Sequence, residues 1–195
     1  MILRLVKYFA KFPTKAGVQK MFVRGESSLP AYATLLAYVD ALPDVSVMPD
    51  IENFVVASSL EKVKGFVSGF RGVQTYLMLD YGEIASGADQ RNSIQDTMRL
   101  AVTVACHIDN NADLVEDNIA SNNTLDLANR LRAHIMADSR NQVLGHGIQE
   151  IIAGAHQLVP FESKELQSVG WTIAFSLDAT DLLDVTSLRM QYSKC

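Results

Sequence analysis

Four histidines, two cysteines and a run of acidic and amide residues are the side chains of this sequence that could do chemistry. His107-x-Asp109 offers two metal ligands, but alternation puts His107 on the open side of a strand and Asp109 in a turn. His134 sits beside the apolar helix position Ile135. His146 and His156 are too far apart for the i,i+4 spacing that sets two imidazoles on one helix face. Cys106 lies in an apolar run and Cys195 is the last residue, so neither a disulfide framework nor a four-ligand zinc site is available. The stretch DNNADLVED (109–117) begins like a calcium loop. It then places Leu114 where the loop needs glycine and Ala120 where it needs a bidentate glutamate, which makes it a capping-rich turn. No G-x-S-x-G elbow or Cys/His signature is present, and Gly145-His146-Gly147 lacks the preceding strand and the lysine of a phosphate loop. Carboxylate pairs such as Asp80 with Glu83 or Asp181 with Asp184 are ordinary surface charge. The expectation is a protein without catalytic residues, cofactor or metal.

With catalysis set aside, charge is the next signal. The 195 residues carry a net charge of −5, yet Arg4, Lys7, Lys11, Lys15, Lys20 and Arg24 give residues 1–25 a charge of +6 with no acid, which leaves −11 on the rest. A basic N-terminal arm (1–25) before a single acidic domain (26–195) is the simplest division, since no repeat or Pro/Gly/Ser linker splits the chain. An arm of that sign suits nucleic acid, an anionic membrane surface or an acidic neighbour. For a self-assembling acidic body, the next copy's acidic face is the economical partner, and an arm folded back on its own domain is the alternative. DNA contact is not predicted. No apolar run approaches the ~20 residues of a membrane-spanning helix. Arg4, Lys7 and Lys11 interrupt any signal-peptide core, and two cysteines in this length fit a reducing compartment.

The elements follow from periodicity. Ile2, Leu5, Val6 and Phe9 fall at helical spacing opposite the cations of residues 1–11, and Pro13 ends that helix. A second helix covers 30–42, with Pro30 in its first turn and Tyr32, Leu35, Leu36, Val39 and Leu42 in one stripe. Residues 53–57 and 66–75 are weaker strand candidates. The clearest signal is a hairpin. One arm is 73–85; the other, 97–108, alternates Met98, Leu100, Val102, Val104, Cys106 and Ile108 against Thr97, Arg99, Ala101, Thr103, Ala105 and His107. SGADQRNSIQD (86–96) reads as a long connecting loop. After an Asn/Asp-rich connection (109–123), two helices are expected at 124–137 and 142–158. A strand alternating from Val169 to Leu177 and a short edge strand within 186–192 complete the reading. The class is α+β: a mostly antiparallel sheet with a long-looped hairpin, and helices packed on one face.

This order, with arms TYLMLDYGEI and MRLAVTVACHI followed by LDLANRLRAHIM and WTIAFSLDATDLLD, resembles phage tail-terminator and neck proteins over residues 28–180. The basic arm and the two consecutive helices depart from that pattern, and sheath, tube-initiator and head-completion proteins are arranged comparably. The resemblance implies a structural virion protein, assembled in the host cytoplasm. Its subunits form a ring, usually hexameric, that closes the tail tube and meets the head connector. Its partners are then other copies of itself, tail-tube proteins and connector proteins, with no membrane. The implied interface residues are Arg4, Lys7 and Lys11 of the arm, Thr97, Arg99 and Thr103 of the open sheet face, and Asp89 and Arg91 of the loop. A bacterial dimeric regulatory or immunity-type binding module, holding a ligand on that open face, is the competing expectation.

Overall fold

The computed structural model describes residues 2–57, 60–70, 72–88, 94–108, 112–141, 143 and 156–180, with backbone only at 57, 60, 82–88, 94–98 and 176–180. Its elements are α1 (Ile2–Phe9), α2 (Lys15–Gln19), α3 (Pro30–Asp40), β1 (Asn53–Ala57), α4 (Leu60–Val67), β2 (Gln74–Ala88), β3 (Ile94–His107), α5 (Leu114–Arg140), β4 (His156–Ser163) and β5 (Ser168–Thr180). The strands form one mixed sheet in the order β1-β2-β3-β5-β4. β1 runs parallel to β2, with α4 as the crossover, and every other pair is antiparallel. The fold is therefore α+β.

One sheet face is the main core. Leu77 and Leu79 of β2, Leu100, Val102 and Val104 of β3, and Ile173 and Phe175 of β5 are buried there against Leu127, Ala128, Leu131 and Ile135 of α5. These are the even-numbered positions of β3, as the alternation requires. The strand at 53–57 is present as read, and Pro160 is tolerated because β4 is an edge strand.

From Leu5 to Phe22 the N-terminal segment packs into this core, which departs from the expected arm. Leu5, Phe9, Ala10, Phe12 and Val18 have no exposed surface. The stripe that predicted α1 is the stripe that seals it to the domain. α2 is capped by Thr14, whose hydroxyl accepts from the Gly17 amide at 3.1 Å and donates to the Glu52 carbonyl at 2.8 Å, fixing the helix against the entry to β1. The alternative of an arm folded back on its own domain is the arrangement observed.

Other expectations are corrected. Residues 66–70 continue α4 and its exit rather than a strand, and the second arm of the β1–α4–β2 unit begins at Gln74. The hairpin loop is shorter than 86–96, because Ser86, Gly87 and Ala88 pair with Asp96, Gln95 and Ile94, and only 89–93 lie between the strands. One helix, α5, replaces the connection at 114–123 and the helix at 124–137. Asp113 accepts from the amides of Val115 and Glu116 at 2.8 and 2.9 Å, and Glu116 accepts from the Asp113 amide at 2.9 Å. This reciprocal cap starts the helix ten residues earlier than the apolar repeat does. Replacing Asp113 with alanine is expected to lower stability by about 1 kcal/mol in urea denaturation. Of the helix expected at 142–158, residues 156–158 belong to β4 and 144–155 lie outside the described residues, as does the strand expected at 186–192.

The helices do not share one face. Val63 and Val67 of α4 pack on the opposite side of the sheet, against Val55, Tyr76, Met78, Ala105 and Leu166.

Candidate interaction surface

Three features of the fold could meet another molecule: the second sheet face, the free end of the sheet, and a cavity under α5. The second face carries the odd-numbered positions of β3. Its lower end is closed. Ala105 is fully buried, and His107, expected to be open, is buried with Nδ1 3.1 Å from the Leu166 carbonyl and its ring against Phe70. Tyr76 lies in the same cluster, its phenol pushed up to about 12 by burial. The covering elements are α4, Phe70 and the turn that joins β4 to β5.

Above α4 the face is sparse. Ala101, Thr172 and Ala174 are half-buried, while Asp80, Arg99, Gln157 and Val159 are exposed. Thr103, expected on the open side, does lie there but is 2% exposed, and its hydroxyl bonds the Thr172 hydroxyl at 2.7 Å across the β3/β5 pair. Partial desolvation on this surface pushes the Asp80 carboxyl above its usual range. A carboxyl whose pKa is raised by folding stabilises the native state only when protonated, and costs stability once ionised. Asp80→Asn is therefore expected to melt higher than the parent at neutral pH, with the difference vanishing as pH falls through the carboxyl range.

The free end is defined by register. β1 pairs no further than Ala57 with Asp80, and β4 begins at His156 opposite Phe175. Beyond those pairs β2, β3 and β5 continue to Ala88, Ile94 and Thr180, and among the described residues no further strand pairs with them there. At about 3.4 Å per residue, the stretch from Tyr81 to Ala88 projects roughly 24 Å. A bulge between Tyr81 and Ile84 sits where the flanking strands stop, a position where an extra residue bends and twists a ladder. Thr97 lies in this extension, opposite Ala85 and Asp178. Asp89 and Arg91 lie outside the described residues.

The basic residues expected at an interface serve the chain itself. Lys11 pairs with Asp138 and lies over the rings of Tyr8 and Phe12, at 4.3 and 4.9 Å from their centroids. The Tyr8 hydroxyl donates to Asp138 at 2.8 Å; burial, then that bond, hold the phenol above its usual range. Lys7 lies 5.2 Å from the Tyr38 ring centroid, Lys15 donates to the Asp40 carbonyl at 2.8 Å, and Lys20 donates to Asn53 Oδ1 at 2.7 Å. Arg4, at the exposed start of α1, also has a partner.

The cavity, missed in the sequence, has a volume of about 450 Å³. It opens between the first half of α5 and the starts of β2 and β3, with Val73, Thr75, Cys106, Ile119, Ala120 and Leu127 among its walls. Burial pushes the Cys106 thiol above its usual range, which disfavours the thiolate a nucleophile needs. The trace of the cavity in the sequence is small residues: Ala112, just before the cap of α5, and Ala120, four residues after Glu116 on the helix.

Among the described residues no three of His, Cys, Asp or Glu come together as a metal site, and no helix is long and apolar enough to cross a membrane. No family model, curated protein or solved structure matches the chain.

Proposed function

We propose that this protein is a ring-forming structural component of a phage neck or tail, a terminator or neck subunit that closes the tail tube and joins it to the head connector. The observation that carries this reading is the three-stranded extension of β2, β3 and β5 past the ends of β1 and β4. Among the described residues no strand flanks this extension on either side. It suits a subunit that must reach into an adjacent ring. The sparse surface of Ala101, Thr172 and Ala174 supports the same reading, because small side chains let another backbone approach closely. The partners are other copies of this chain, tail-tube proteins and connector proteins.

Negative-stain electron microscopy of the full chain tests this. Closed rings with a central opening and cyclic symmetry are the expected result; isolated compact particles that also fail to bind tail tubes would contradict it. The cavity of about 450 Å³ favours a second reading, a dimeric binding module for a small apolar ligand. Two-fold dimers that retain a bound small molecule in native mass spectra would select that reading.

A further inference from the structure

We infer that the apolar mouth of the α5 cavity is a socket for the N-terminal turn of α1 from a second copy of this chain. The inference rests on the assembly reading above and names the contact that reading requires. Val73, Leu114, Val115 and Ile119 are 71%, 80%, 64% and 56% exposed, and Val73 and Ile119 line the cavity. Val115 and Ile119 are four apart on one helix face, so these side chains extend the cavity outward as one apolar surface. Glu116 lines the cavity, Asp117 stands beside Glu116 in the first turn of α5 and Asp113 caps the helix, while among the described residues no lysine or arginine lines the cavity. Lys164 lines a smaller hollow together with Asp117.

The complementary patch lies at the other end of the molecule. Ile2 and Leu3 are 42% and 47% exposed, and Arg4 and Lys7, each already engaged within its own chain, still place positive charge beside them on α1, which carries no acid. Phe12 meets His134 and Tyr8 meets Asp138, so moving back toward Ile2 moves toward the C-terminal end of α5. Glu116 and Asp138 are separated by about 33 Å along a helix rising 1.5 Å per residue. An apolar tip with basic flanks and an apolar socket with an acidic rim, set this far apart, cannot satisfy each other within one chain. Neither patch complements itself, so the contact joins two different surfaces. They fit a heterologous contact, the kind that propagates from copy to copy and closes into a ring when the rotation allows.

The test uses the full chain and two exposed substitutions, Ile119→Glu to spoil the socket and Leu3→Glu to spoil the tip, with circular dichroism to verify folding. Size exclusion with light scattering should show that each alone weakens self-association at least about tenfold, as a charge forced into an apolar contact does. An equimolar mixture of the two variants should give a heterodimer, since the intact tip of Ile119→Glu fills the intact socket of Leu3→Glu and growth stops there. Three results would overturn the contact: a parent oligomer unchanged by both substitutions, variants that stay apart on mixing, or a parent that remains monomeric. The first leaves the ring reading standing on another interface, and binding to tail tubes judges that reading separately.

Discussion

A chain lacking residues 1–12 will not fold. Leu5, Phe9 and Phe12 have no exposed surface, and each belongs to the cluster that includes Leu77, Val102 and Leu131 of the sheet and α5. Burying one such side chain contributes about 1.5–3 kcal/mol. Three of them, before Val6 and Ala10 are considered, approach the 5–15 kcal/mol that separates a native domain from its unfolded state. The truncation also strips Asp138 of both Lys11 and the Tyr8 hydroxyl. The truncated chain is expected in the insoluble fraction, or without a cooperative thermal transition if it is recovered. A soluble truncation that melts like the parent would mean that α1 is an appendage after all.

Gly17→Ala is expected to be among the most damaging small substitutions in the described chain. A Cβ at that position would stand 1.9 Å from the Glu52 carbonyl oxygen and 2.8 Å from the Asn53 Cα, and both obstacles are backbone. No rotamer relieves such a contact, so α2 must lift from β1 and break the Thr14 bonds to Gly17 and Glu52. A loss of at least about 3 kcal/mol is expected, at the upper end of overpacking costs. Gly65→Ala is the matching control. It lies within α4 with nothing within 4 Å of the added methyl, so it should gain up to about 1 kcal/mol from helix propensity. Paired urea titrations measure the two signs together.

The long alternations were legible in the sequence because their period is local. β3 and β5 each hold period 2 across nine or more residues, and the face that alternation assigned to Leu100, Val102 and Val104 is the buried one. α1 was legible as a helix but not as core. The six cations of residues 1–25 read as an arm for the next copy's acidic face, whereas the partner of Lys11 is Asp138 of the same chain, 127 residues away. The hairpin was drawn with too long a loop because Ser86, Gly87 and Asp96 are turn-formers, whereas pairing on both sides of β3 overrides that local preference. The start of α5 was available in the Asp113-x-x-Glu116 capping box, obscured by the resemblance of the same residues to a calcium loop. α4 was hidden by Gly65 and Gly69, although Val63 and Val67 are four apart, as are Phe66 and Phe70. That miss mattered most for the candidate surface. Alternation told which side of β3 is sparse, but α4, Phe70 and the turn joining β4 to β5 decide that Ala105 and His107 are covered while Ala101 remains half-buried.

The exposed apolar ends of α1 and α5, the projecting strands and the sparse upper sheet all make sense if this chain acts as one of several identical copies. Sedimentation velocity of the full chain at micromolar concentration addresses that claim most directly. The account predicts a discrete species whose mass is several times 21.4 kDa, larger than a dimer and stable on dilution through the micromolar range. A single boundary at the mass of one chain, unchanged at every concentration and in the presence of tail tubes, would contradict it.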